Sequence, residues 1–432
     1  MKTLRTFYLL VVTQTLSLIG SRMTSIAVGI RVFNDTGNTA PLLLTAFFAE
    51  IPGMLGGSLG GVLVDRWDRR RVIVLADAGQ AAGTLLLLLA FLSESFQLWQ
   101  LYAVAFVQGA FATLQQPALD ASITMLVPEQ HRERANAIRE MAFPLAGVVA
   151  PVLTGALFVF IGVAGVMAID LATFLAAVGA VSLMSIPRPL QTEEGVAARG
   201  DFWQELRGGF RYLRARRVLL GLVLYFAFIN FMLNGPLDLA IPYLITLTGE
   251  EALTGALLGV MSGGALAGAV LIAVWGGTRP RVHTFMPGLL LTGAMFVLFA
   301  TAPSVPVLSV ALFVLMVPLP LTNALFLSIM QVKTPPDMQG RVFAIVTQLL
   351  FVATPPSFLL TGFLVDNILE PAVGGAGWAA FAPLVGSAPG AGMRLLLATT
   401  GVIIFVVTAA VYALPQIRRL EATLPDYEAL AE

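Results

Sequence analysis

Apolar residues run through this chain in long blocks, and polar positions gather in the short gaps between them. Blocks close to the roughly 20 residues a spanning helix needs fall at 6–29, 41–64, 72–92, 99–122, 140–161, 164–186, 218–246, 252–274, 284–303, 305–330, 341–365 and 393–414. The pattern predicts an all-α integral membrane protein of twelve transmembrane helices. The first block follows Lys2 and Arg5, as in a signal peptide, but its length and the blocks behind it predict a retained helix. The longest polar interval, 187–217, separates six blocks from six. It predicts an N-terminal six-helix bundle at 1–186, a cytoplasmic linker, a C-terminal six-helix bundle at 218–414 and a cytoplasmic tail at 415–432.

A repeat supports that division. Gly56-Gly57-Ser58-Leu59-Gly60-Gly61 returns as Gly263-Gly264-Ala265-Leu266-Ala267-Gly268, and Pro128, Arg134, Ala137 and Gly155 return at the same offset as Pro335, Arg341, Ala344 and Gly362. Duplicated helical units in a membrane chain predict alternating access around a site between the halves. Within the linker, Asp201 and Gln204 form a capping-box pattern. Phe202, Trp203, Leu206, Phe210 and Leu213 then interleave with Arg207, Arg211, Arg214, Arg216 and Arg217. That alternation predicts an amphipathic helix on the cytoplasmic membrane face.

Composition agrees: 57% of residues are hydrophobic and 12% charged, far from a soluble mix. Lys and Arg collect in cytoplasmic loops. Placing both termini in the cytoplasm puts every basic residue inside except Arg22, Arg31 and Arg394. The absence of cysteine excludes disulfides and thiolate metal sites. The lysines are Lys2 and Lys333 alone, and no Gly-x-x-x-x-Gly-Lys loop exists, so transport driven by bound nucleotide is excluded and no cofactor is expected. His131 and His283 sit apart at cytoplasmic loops and suggest no metal site. No nucleophile and base stand at a recognisable spacing, which argues against an enzyme, and nothing points to nucleic acid.

The sharpest local signal closes the second block, Gly61-Val62-Leu63-Val64-Asp65-Arg66-Trp67-Asp68-Arg69-Arg70-Arg71. Glycines at 57 and 61 share a helical face and permit close backbone approach. Asp65, at the cytoplasmic helix end, can accept from Arg66 or Arg69 or sit at a neighbouring helix N-terminus; alternatively the basic loop only fixes orientation. With the twelve blocks and the duplication, this stretch resembles the signature loop of the major facilitator superfamily. Asp68 replaces the usual second glycine, as in the branch of macrolide efflux proteins and the enterobactin exporter. Ser17-Leu18-Ile19-Gly20-Ser21 and the stretch from Gln116-Pro117-Ala118 to Arg134-Ala135-Asn136-Ala137 resemble that branch too. The resemblance implies a conformational latch built from Gly57, Gly61, Asp65, Arg66, Asp68, Arg69 and Arg70. At the repeat offset Asp65 becomes Ile272, so the latch is expected on one side only. Gly147, Pro151 and Gly155 resemble the family's antiporter motif, with Ala150 and Thr154 where glycines are usual; a kink with tight packing is the structural alternative.

Charges inside apolar blocks cost roughly 2.5–3.5 kcal/mol each on insertion scales and mark functional candidates. Arg22, Glu50 and Asp238 lie at a shared depth, roughly 12–14 Å below the outer surface at about 1.5 Å per residue. Either carboxylate can be the proton carrier, with Arg22 tuning it, or the three form a static staple. Asp120 is a secondary relay candidate toward Asp65, or a helix-end contact. Asp170 reads as structural. In the seventh block Asn230 and Asn234, followed by Gly235-Pro236, suggest an unwound polar segment. Phe226, Phe228, Phe231 and Met232 would give it an adaptable apolar lining, and lipid-facing packing is the alternative for each.

These readings converge on a monomeric, proton-coupled exporter of amphiphilic drugs such as macrolides in the inner membrane, with protons, a small amphiphilic substrate and the lipid bilayer as partners. A dedicated exporter or flippase of a siderophore or lysophospholipid is the alternative, ahead of a non-transporting sensor.

Overall fold

The computed structural model describes residues 2–127, 135, 138–139, 141–184, 202–335, 338–424 and 427; at 2–3, 57–66, 121, 123–125, 202–208 and 340 the backbone alone is described. The described residues form helices and connecting turns without strands. In chain order these are α1 (Lys2–Thr36), α2 (Ala40–Arg66), α3 (Arg69–Leu92), α4 (Leu98–Leu126), α5 (Ala142–Leu183), α6 (Phe202–Ala215) and α7 (Arg217–Asp238). They continue as α8 (Ala240–Thr248), α9 (Glu251–Trp275), α10 (Val282–Thr301), α11 (Val305–Met316), α12 (Pro318–Val332), α13 (Gln339–Leu364) and α14 (Ala391–Ala413). Helix α5 carries two spans, because Gly162, at φ 62°, turns the chain in the middle of an unbroken apolar run. A side chain at that φ would be strained, so glycine permits the turn. Counting α7–α8 and α11–α12 as one span each, and leaving out α6, gives twelve among the described residues.

Contacts divide the chain into two units: Met1–Leu190 with Asp238–Gly259, and Gln191–Leu237 with Val260–Glu432. The boundaries differ from a cut through the linker, since α8 and the first turns of α9 belong with the N-terminal helices and α6 with the C-terminal ones.

In the first unit α1 packs on α5, α2 on α4, and α3 against both α4 and α5. Packing in lipid rewards small residues that let backbones meet, and Gly109 of α4 does this against the Ala49 carbonyl of α2. The C-terminal unit solves the same problem from the other partner: Gly264 and Gly268 of α9 lie against the Phe313 and Val317 carbonyls. Gly57 and Gly61, their repeat counterparts, lie where side-chain surroundings are outside the described residues. In the second unit Gly293 of α10 and Gly401 of α14 cross backbone to backbone.

Helix α6 docks on α13. Gly209 sits on the Arg341 carbonyl, Leu213 is fully buried, and the Tyr212 hydroxyl donates to the Lys333 carbonyl at 2.7 Å. Burial raises the Tyr212 phenol to about 12, so it remains a donor across the physiological range. Arg216 stacks over Tyr212 at 3.8 Å and donates to the Tyr427 hydroxyl at 2.8 Å. Lys333 is 1% exposed and donates to the carbonyls of Glu421 and Leu424 at 2.6 and 2.5 Å, while Glu421 pairs with Arg281 at 3.4 Å. The sequence placed His283 as a solvated loop residue; it is exposed and hydrogen-bonds the Tyr412 hydroxyl at 2.8 Å.

Candidate functional site: charged and polar groups within the helices

Helix α7 stops at Asp238 because Pro242 has no N–H and its ring crowds the carbonyl four residues back, that of Asp238 itself. The acid is thereby held at a helix end. Glu50, half-buried on α2 beside the Gly109 contact, is near enough for its charge to act on Asp238. Among the described residues no cation pairs with either carboxylate. Arg22 goes elsewhere: its guanidinium lies 3.9 Å above the Phe143 ring of α5. The expected Arg22 contact with these acids is therefore corrected to a cation–π contact, which a guanidinium makes readily over an accessible aromatic face.

The unwound segment expected at 230–235 is helical. Asn230 returns its amide to the Phe226 carbonyl at 2.9 Å and Asn234 to the Asn230 carbonyl at 2.7 Å, so both side chains follow the helix backbone. Pro236 leaves a gap in the ladder, and Ser357 of α13 fills the neighbourhood: its hydroxyl accepts from the Gly235 N–H at 2.8 Å and donates to the Phe231 carbonyl. The break comes instead at Leu239. Phe226 is also corrected. It is 2% exposed, stacks on Phe326 at 4.0 Å and meets Phe285 edge-on at 5.6 Å, a core residue of the second unit. Asn230, Phe231, Met232 and Asn234 are half-buried.

At the turn between α2 and α3, Asp68 caps α3 by accepting from the backbone N–H groups of Arg70 and Arg71 at 3.1 and 3.4 Å. An acidic N-cap is worth about 1 kcal/mol, a local reason for aspartate here. Arg69 and Arg70 open that helix; the side chains of Asp65 and Arg66, and with them the latch geometry, lie outside the described residues. Asp120, the relay candidate, is ion-paired to Arg139. On α5, Gly147, Pro151 and Gly155 are buried. Gly155 and the Pro151 carbonyl lie against Gly255 of α9, and Val152 against Gly259, leaving no room for a Cβ at either α9 glycine.

Two carboxylates emerge that sequence reasoning passed over or read as structural. Asp77 of α3 is 0% exposed; Gln115 Nε2 donates to one oxygen at 2.5 Å and Gln14 Nε2 to the other at 2.8 Å. Gln80 joins Gln115 at 2.8 Å, and Gln108 bonds the Gln80 carbonyl at 3.0 Å and the Thr84 hydroxyl at 3.2 Å. Thr84 in turn donates to Asp170, 1% exposed, at 3.2 Å, and Ser21 donates to its other oxygen at 3.2 Å. The available signal was four glutamines and an aspartate inside apolar blocks, where each unpaired polar group is costly.

The comparisons with known proteins follow this geometry. The family model of the Major Facilitator Superfamily matches residues 10–355. The chain belongs to the Major Facilitator Superfamily. It is thus a multi-pass membrane transporter and not an enzyme. Among relatives of this superfamily member, macrolide efflux protein A of Streptococcus pyogenes is 23% identical over 375 residues, 84% of this chain and 90% of that one. The enterobactin exporter EntS of Escherichia coli O1:K1 is 27% identical over 444 aligned residues, 99% of this chain and 96% of that one. A bacterial homologue of the human lysosomal transporter Spinster, solved inward-facing and unoccupied, shares the fold with TM-score 0.73 and 17% identity, covering 95% of this chain and 96% of that one. The nucleoside transporter NupG matches with TM-score 0.68 and 13% identity over 95% and 99% of the two chains.

Proposed function

We propose that this transporter is a proton-coupled exporter of amphiphilic compounds of the macrolide type, working by alternating access as a monomer in the inner membrane with both termini cytoplasmic. The observation that carries the reading is the Glu50–Asp238 pair: two carboxylates within electrostatic reach and without a paired cation among the described residues. Like charges so placed resist joint ionisation, so a proton taken up by one relieves the other and its loss restores the repulsion. That alternation is what exchange of an inward proton for an outward cargo requires. Phe231 and Met232 supply apolar surface, and Asn230 and Asn234, each with a second N–H and a carbonyl beyond the bond to its own helix, supply amide groups for an amphiphile. The buried small-residue face of α5 supports export, and the loop from Gly57 to Arg70 is the proposed latch. The relatives named for macrolide efflux support the cargo class. The enterobactin exporter, aligned over nearly the whole chain, favours a second reading, export of one defined metabolite.

The test is proton flux in proteoliposomes with an interior pH dye, adding macrolides, cationic dyes, catecholate siderophores and lysolipids singly. A compound that drives proton movement in the wild type, with the movement lost in Glu50→Gln or Asp238→Asn, supports the reading. Passage of cargo with no proton signal, or full coupling in both variants, overturns it. A response restricted to one compound class selects the dedicated exporter.

A further inference from the structure

The two carboxylates buried in the N-terminal helices are neutralised differently. Asp77 receives an amide N–H on each oxygen, from Gln115 and Gln14, which suits an anion satisfied by hydrogen bonds. Asp170 is surrounded by hydroxyls instead, and among the described residues no cation pairs with it. A carboxylate so enclosed costs several kcal/mol unless something neutralises it. Hydroxyls differ from amide N–H groups in one respect that matters here: each carries two acceptor lone pairs and a proton that can swing away. Ser21 already has a second home for its proton, the Ser17 carbonyl at 3.1 Å. Thr24 is close enough to the same carboxyl to interact with it, yet its buried hydroxyl oxygen is not in hydrogen-bond geometry with any protein group. Thr173 turns its hydroxyl to the Asp170 backbone carbonyl at 2.7 Å. Gly20 completes the enclosure: a Cβ there would stand 2.9 Å from an Asp170 carboxyl oxygen, so the space exists only because the residue is glycine.

The geometry points to a site for a sodium-class monovalent cation, held by the Asp170 carboxylate and the hydroxyls of Ser21, Thr24 and Thr84. All-oxygen ligation is the preference of hard cations. One carboxylate matches one positive charge, whereas a divalent ion would leave an uncompensated charge among apolar helices. Ser21 is half-buried and offers the ion its way in. The site ties α1, α3 and α5 together and shares no residue with the Glu50–Asp238 pair, so it does not depend on the proton-exchange reading.

The full-length protein in nanodiscs is unfolded thermally with tryptophan fluorescence in Na+, Li+, K+ or choline chloride at fixed ionic strength and pH, alongside equilibrium binding of radioactive Na+. The expected result is a saturable, Na+- and Li+-selective rise in Tm with one Na+ bound per chain, absent in Asp170→Asn and retained in Asp77→Asn. Should Asp170→Asn fail to fold, Ser21→Ala/Thr24→Ala lowers Na+ affinity at least tenfold. A wild type without a Na+-selective shift overturns the proposal in favour of a protonated Asp170, and an undiminished affinity in the hydroxyl variant or in folded Asp170→Asn places the ion elsewhere. No cargo or proton gradient enters the assay, so its outcome is separate from that of the flux experiment.

Discussion

Phe226→Ala separates a packing residue from a cargo contact. In a soluble core Phe→Ala costs about 3–5 kcal/mol, part lost transfer energy and part cavity. In a bilayer the transfer part falls away, because lipid is as apolar as the protein interior. What remains is the void: roughly 100 Å³ of ring, at about 24 cal/mol per Å³, gives roughly 2.4 kcal/mol. The stack on Phe326 and the edge contact with Phe285 are lost as well, adding about 1 kcal/mol if each ring pair is near the lower end of its range. The total expected is about 3 kcal/mol, read from SDS or thermal unfolding in mixed micelles with wild type and Phe231→Ala in parallel. Phe231, half-buried on the same helix, should lose less than about 1 kcal/mol, since little is buried there to form a cavity. The reasoning is refuted if Phe226→Ala unfolds within about 1 kcal/mol of wild type while cargo affinity drops.

Two further substitutions test backbone contacts. Ser357→Ala removes the hydroxyl that serves both the Gly235 N–H and the Phe231 carbonyl, and should cost about 1–3 kcal/mol in thermal unfolding; a neutral result would mean the α7 ladder closes without it. Gly255→Ala sets a methyl 2.6 Å from the Pro151 carbonyl and 2.7 Å from the Gly155 Cα. It should destabilise by about 1–3 kcal/mol, whereas Gly221→Ala, with open space around its Cβ, should be neutral or gain up to about 1 kcal/mol of helix propensity. Equal effects at the two glycines would contradict the close α5–α9 approach.

Apolar blocks and their separators were legible as helices because a spanning segment must satisfy its own backbone, which makes length and hydropathy nearly sufficient. Which face of a helix meets protein was not legible: a helix apolar all round gives no stripe to read, so Phe226 and Phe231 looked alike. Asn230 and Asn234 promised polarity to a ligand, yet an amide can spend its N–H on its own helix four residues back. The break near Asp238 was signalled by Pro242 rather than by Gly235-Pro236, whose gap a serine from a distant block covers. Asp77 escaped notice because its partners, Gln14 and Gln115, are 63 and 38 residues away; only the folded bundle makes them neighbours.

The docking of Lys333 carries a consequence in time. Two acceptors of its ammonium come from residues 88 and 91 positions later in the chain. During synthesis, α10 to α14 are therefore all made before this lysine meets those carbonyls. Closure of this end of the C-terminal unit is thus a late event that waits for residues 421–424.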